Sequence, residues 1–222
     1  MKNLKTFFIA SIVAITITNS ASCKKDEPKV DTPIIVAEVS SVTDYDGNTY
    51  RTVKIGDQVW MAENFNASKT SNGQSLLEVY EYNNDSTNSN DYGRLYSWSA
   101  AVMAAPEGWH LPTKEEWEEL INSVGGPGIA GGKLKESGTT HWNSPNTGAE
   151  NSVGFSAVAG GFRGGDGVYY VLGEHGSYWG TANNAQDPYC IYVYNTTANL
   201  VTEVSPVDKT SGNAFAVRFV KN

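Results

Sequence analysis

Three histidines and two cysteines bound the acid–base and nucleophilic chemistry open to this 222-residue chain. His110 stands between Trp109 and Leu111, just before a helix-start signal, where a packed histidine is the expected role. His141 and His175 fall in glycine-rich stretches, and Glu174 adjoins His175. A metal or acid–base site there would need ligand spacing that the sequence does not supply, so no metal and no cofactor are expected. Cys190, in Tyr189-Cys190-Ile191-Tyr192, has the strand-like setting of a buried, inert thiol. No Gly-x-Ser-x-Gly elbow and no phosphate loop occurs. Paired acids for glycoside cleavage are defined by separation in space, so a hydrolase stays open as an alternative with no catalytic residue assigned.

Sugar binding is better supplied. A pyranose is held by stacking its apolar face on an aromatic ring while amides and carboxylates bond its hydroxyls. Trp142, Asn143, Tyr169, Tyr170, Glu174, Trp179, Asn183, Asn184 and Asp187 interleave those residue types along loop-rich sequence. They are the expected binding residues for a glycan or glycoprotein ligand. Tyr178 and Trp179 alternate along a strand, so one of them is expected in the core.

The N-terminus carries separate chemistry. Lys2 and Lys5 precede a mostly apolar run over 7–17, and Ser20-Ala21-Ser22 puts small residues before Cys23. The run is shorter than the ~20 residues that cross a bilayer, so 1–22 reads as a cleaved signal peptide. Small residues abutting a cysteine resemble the lipobox of bacterial lipoproteins, which implies lipid attachment at Cys23 and stable anchoring by several acyl chains. Lys24, Lys25, Asp26 and Glu27, followed by Pro28 and Pro33, begin a hydrated tether over 23–42. That charged run resembles the lysine-plus-acid signal that carries Bacteroidetes-type lipoproteins to the outer face of the outer membrane. The expected location is the outer membrane, facing the cell exterior.

Sixteen Lys plus Arg stand against 24 Asp plus Glu, and losing Lys2 and Lys5 with the signal leaves 14 against 24, a net charge of −10. Such a surface argues against nucleic acid and anionic lipid headgroups as partners, because phosphate binding needs a basic patch. The membrane is then met through the N-terminal lipid. Roughly 180 residues follow the tether, enough for one domain with a sizeable core. With Cys23 lipidated, no structural disulfide is expected at Cys190.

Runs at 50–55 and 58–61 around Gly56-Asp57 predict a hairpin. Most of 67–92 is polar and reads as a long surface loop. Leu95, Trp98, Val102 and Ala105 recur at helical spacing and predict a first helix over 95–105. Thr113 with Glu116 makes a capping box, and Trp117, Leu120, Ile121 and Val124 give the second helix one apolar stripe before Gly125-Gly126. Short strands are expected at 155–159, 169–172, 177–180, 190–194, 200–204 and 215–220. Two main helices among short, mostly antiparallel strands and long loops make an α+β fold.

Several ordered segments point to one family. Asp46-Gly47-Asn48-Thr49-Tyr50, Val53-Lys54-Ile55-Gly56 and Gln58-Val59-Trp60-Met61-Ala62-Glu63-Asn64 open the domain. Tyr92-Gly93-Arg94-Leu95-Tyr96-Ser97-Trp98 and Pro106-Glu107-Gly108-Trp109-His110-Leu111-Pro112-Thr113 with Glu116-Trp117 follow, and Ala216-Val217-Arg218-Phe219-Val220-Lys221 closes it. Over 43–222 the chain resembles the Fibrobacter succinogenes major paralogous domain, a module of surface lipoproteins. The stretch from Gly108 to Trp117 also resembles formylglycine-generating enzymes, which implies a C-type-lectin-like fold. Their oxidase chemistry needs active-site cysteines that this chain lacks. Family members often carry cysteines where Ala105 and Phe219 stand here, a small residue and a large one that together offer core packing in place of a disulfide. The calcium triplets of calcium-dependent C-type lectins are missing. The reading is a surface-anchored binding module without catalysis, with an adhesin or structural role as the alternative.

Overall fold

The computed structural model describes residues 38–182, 187–203 and 209–222. Strands β1 (Glu38–Thr43), β2 (Thr49–Ile55) and β3 (Gln58–Met61) form an antiparallel meander. In β2 the buried side switches along the strand: Tyr50 and Thr52 are buried on one face and Val53 and Ile55 on the other, so the strand serves two core clusters. β6 (Trp109–His110) and β13 (Val220–Lys221) complete this sheet in the order β1-β2-β3-β13-β6. β1 begins inside the stretch read as tether.

A second sheet runs β4-β5-β12-β7-β8, from β4 (Val79–Tyr80), β5 (Leu95–Ser97), β7 (Phe162–Arg163), β8 (Tyr169–Tyr170) and β12 (Ala214–Phe215). The third pairs β9 (His175–Ala182), β10 (Asp187–Tyr194) and β11 (Leu200–Glu203). The closing segment ties all three together. β12 lies in the second sheet, Ala216 bridges Tyr178 of β9, and β13 lies in the first. Its alternation serves two clusters: Phe215, Val217 and Phe219 enter one, while Ala216 and Val220 enter the other. Ala105 packs against the cluster that holds Phe219, so both positions contribute to core packing.

The expected two-helix, C-type-lectin-like α+β architecture does not form. Among the described residues the chain is mostly sheet, curled into half-barrels, with four short α-helices and 20% helical content. The first expected helix fails because its periodicity spans two elements. Leu95 and Tyr96 belong to β5, Ser97 caps α2 (Trp98–Met103) by accepting from Ala100 N, and the buried residues of α2 are Ala100 and Ala101. Val102 and Met103 point outward, 41% and 56% exposed. α3 (Lys114–Ser123) forms as read, capping box included.

Gly126 and Pro127 then start a helix that glycine content conceals, α4 (Pro127–Leu134). Its glycines answer to close approach, since a Cβ on Gly131 would sit 2.4 Å from Asn199 O. The expected loop over 67–92 contains β4 and α1 (Ser86–Tyr92). The run at 155–159 makes a parallel bridge, Lys135 with Ala157, in place of a strand.

Among the described residues, two charged side chains are fully buried, Lys135 and Arg218. Lys135 Nζ donates to the carbonyls of Thr147, Tyr194 and Thr197 at 2.8, 3.0 and 3.0 Å, and burial pulls its pKa down to about 8. Arg218 donates from Nε to Asn64 Oδ1 at 2.7 Å and from its terminal nitrogens to the carbonyls of Met61, Phe155 and Ser156. Both charges hold carbonyls at strand ends, Tyr194 for Lys135 and Met61 for Arg218, together with carbonyls of neighbouring loops.

Candidate functional site

The residues expected to bind sugar do not assemble. Trp142 is 2% exposed, donates its indole N–H to Ala157 O at 2.9 Å and lies under the Lys135 ammonium. Trp179 is 1% exposed, donates to Tyr96 O at 2.7 Å and packs on Phe215. Neither indole offers a face to solvent, which corrects their assignment as stacking platforms. Both fail for one reason: the sheets close around them, a long-range effect that residue type does not report.

Tyr169 is half-buried against Tyr82 and donates its hydroxyl to Asn84 Oδ1 at 2.8 Å. Tyr170 is 37% exposed, stacks on Phe162 opposite it in the ladder, and donates to Asp166 Oδ2 at 2.6 Å. Asn143 N donates to Gly173 O, and Glu174 O accepts from Asn195 N, so these two segments neighbour each other. Asp187 pairs with Lys209 at 3.2 Å. Cys23, residues 24–27, Asn183 and Asn184 lie outside the described residues.

The histidines sit in three separate places. His141 pairs with Glu136 at 2.9 Å and meets the edge of Tyr92. His175 packs on Tyr194, and burial lowers its pKa. His110 Nε2 faces the Glu116 carboxylate at 2.8 Å. Among the described residues, no group of three or more His, Cys, Asp or Glu side chains is placed to hold a metal ion.

Concave, polar surface gathers elsewhere, on both sides of the turn between β1 and β2. Gly47, at φ 90°, lets the chain reverse, and Asp44 locks the turn. Its carboxylate accepts from Asn48 N, Asn48 Nδ2 and Tyr50 OH at 3.0, 2.8 and 2.6 Å. On one side lies a hollow of about 310 Å³ with Phe65 and Ala104 in its lining and Tyr45, Lys69 and Glu107 around them. Tyr45 is 58% exposed, with the Lys69 ammonium 5.6 Å from its ring centre. The ring also fits close to Gly73, where a Cβ would come within 2.5 Å of it.

On the other side lies a polar groove of about 440 Å³ lined by Asp46, Asn66, Ser68, Glu81, Asn90 and Arg94. A further section of about 280 Å³ shares Asn48, Asn66, Ser89 and Asn90 with it and adds Thr49, Glu63 and Asp91. Arg94 pairs with Glu81 at 2.8 Å and donates Nε to Asn66 O. Asn66 Oδ1 has no hydrogen-bond partner among the described residues.

The wall between hollow and groove is Asp46, which accepts from Ser68 N, Ser68 Oγ and Lys69 Nζ at 2.6, 2.8 and 3.0 Å. Partial burial acts to raise its pKa, but the Ser68 and Lys69 hydrogen bonds outweigh burial and hold it below the ordinary value. Sequence reasoning treats the segments around Asp46–Tyr50 and Tyr92–Ser97 as marks of fold. Distant in the chain, they supply opposite banks of one groove, and only the fold brings them together.

Strand-rich architecture and a solvent-facing amide and hydroxyl groove define this as a short-strand surface-groove domain. The family model of the Fibrobacter succinogenes major domain matches residues 53–221, and the chain belongs to that family. No curated protein and no solved structure matches the chain.

Proposed function

We propose that this protein is a lipid-anchored module of the outer membrane that binds a glycan, free or on a glycoprotein, without catalysis. The exposed Tyr45 ring at the mouth of a hollow with both apolar and polar lining carries this reading. A pyranose presents the same combination, an apolar face ringed by hydroxyls, and rigid aromatic rings hold such faces at low entropic cost. A glycosidase acid needs a carboxyl whose pKa is raised so that it carries a proton near neutral pH. Asp44 is saturated with donors and Asp46 is held ionised, so both are suited to fixing the turn.

Glycan-array screening of the purified full chain, followed by titration with the best probe, tests the site. Tyr45→Ala should weaken binding about tenfold or more with little change in melting temperature, as for an exposed anchor. Unaltered binding by this variant would move the site elsewhere. Anchoring is tested separately: Cys23→Ala should release the protein from the membrane fraction or leave its precursor uncleaved. A variant that fractionates and migrates like the wild type would remove the lipoprotein reading.

A further inference from the structure

We infer that the ligand is an oligosaccharide of neutral sugars lying across both the Tyr45 hollow and the polar groove, an inference that rests on the glycan reading above. The two concavities are divided by a wall one residue wide. Tyr45 and Lys69 face the hollow, while their chain neighbours Asp46 and Ser68 face the groove. The hydrogen bonds of Asp46 to Ser68 and Lys69 brace that wall. The groove adjoins a further concavity along Asn48, Asn66 and Asn90, which line both. A single pyranose on Tyr45 leaves that length unused.

The groove also has the chemistry of a hydroxyl reader. Asn66 lines the groove with its own Oδ1 buried, and the exposed Asn90 side chain makes no hydrogen bond among the described residues. Amides offer donors and acceptors together, which suits hydroxyls that act as both. The aromatic platform stands at one end only, so the hollow anchors a first ring and the groove reads those that follow.

Charge sets the class of sugar. Each cation along this surface already has a carboxylate: Lys69 has Asp46 at 3.0 Å, Arg94 has Glu81 at 2.8 Å, and Arg51 has Glu63. Asp91, exposed at the far section, forms no ion pair among the described residues. An acidic sugar would have to break an existing pair and then face the carboxylate it displaced. A neutral hydroxyl needs neither step.

Calorimetric titration of the full chain with cello-, manno- and chito-oligosaccharides of increasing length, and with oligogalacturonates of matching length, decides the matter. For at least one neutral series, affinity should rise about tenfold or more from the monosaccharide to a short oligomer and then level off. Oligogalacturonates should bind at least about tenfold more weakly. Tyr45→Ala should lower every length in proportion, whereas Asn90→Ala or Asn66→Ala should collapse the ratio between long and short ligands toward one. Asn90 is exposed, so its variant tests the groove even if Asn66→Ala folds poorly. Equal affinity at all lengths, or oligogalacturonates binding as tightly as neutral chains, would overturn this inference while leaving the glycan reading standing. If no series binds, the glycan reading falls and this inference with it.

Discussion

His110 faces acceptors on both sides of its ring, the Glu116 carboxylate at Nε2 and Asn222 Oδ1 at Nδ1, 2.8 and 2.6 Å away. The Glu116 hydrogen bond raises the histidine pKa above the opposing effect of partial burial, and Asn222 adds to it. For Glu116, burial acts upward but the His110 and Thr113 hydrogen bonds bring its pKa down. The signs fix a window. The raised histidine contributes stability fully below its unfolded value of about 6.5, and that contribution fades as pH climbs through the folded value. The lowered glutamate contributes above its unfolded value of about 4.3 and fades as pH falls.

This pair should therefore stabilise most between about pH 4.5 and 6.5, by under about 1 kcal/mol because it is partly exposed. His110→Gln should flatten the wild-type decline in denaturation midpoint between pH 6 and 8, read by urea titration. An equal slope in both proteins would mean that the pair carries no linkage. The same scale shows what residue types conceal. Tyr45 was as visible in the chain as Trp142, but nothing local says that a closing sheet buries one ring and leaves the other at 58% exposure. Singling out aromatics by residue type could not report which rings the fold buries and which it leaves exposed.

At the scale of elements, local signals succeeded where they were self-contained. In α3 the Thr113 hydroxyl accepts from Glu116 N at 3.2 Å, and the Glu116 carboxylate accepts from Thr113 N at 2.8 Å. All the information for that start lies within four consecutive positions, so the sequence reports it. The apolar stripe delivers Trp117 into a cluster with Trp60, Phe155 and Tyr178, ring centres 4.7 to 6.1 Å away. Thr113→Ala should cost about 1 kcal/mol through the lost cap. Trp117→Ala should cost about 3–5 kcal/mol through the cavity it leaves. Guanidinium denaturation that ranks the two in the opposite order would mean α3 is held by its cap more than by its packing. α2 was read too long and α4 was missed, for the converse reason. Their burial runs through alanine and glycine, small residues chosen by neighbouring backbone, as Asn199 O against Gly131 illustrates. Periodicity of large side chains does not mark a contact face made mostly of alanine and glycine, where Leu134 is the large buried residue of α4.

At the scale of the molecule, short strands were legible but their partners were not. The hairpin of β2 and β3 falls where alternation put it and β9 and β10 contain the runs read as strands, whereas the closing run, read as one strand over 215–220, splits into β12 and β13 in different sheets. What sequence could not give was that the closing run visits three sheets in turn, which makes the architecture sheet-dominated and leaves no pair of main helices to organise it. Arg218 sits at that junction. It joins Met61 and Asn64, beyond β3, to Phe155 and Ser156, with its guanidinium 4.6 Å from the Phe155 ring centre.

Taking the guanidinium away would strand buried acceptors on both sides, and each unsatisfied group costs about 1–3 kcal/mol. Arg218→Met, which keeps much of the apolar stem, should therefore lose about 3–5 kcal/mol, while Arg218→Lys should recover part by reaching some of the same acceptors. Because the residue ties the end of β3 to the buried segment at Phe155 and Ser156, the loss should appear as one earlier transition, coincident by tryptophan fluorescence and far-ultraviolet dichroism. Two separated transitions in Arg218→Met would show that the sheets fold independently, and a near-neutral change would show that packing alone holds them together.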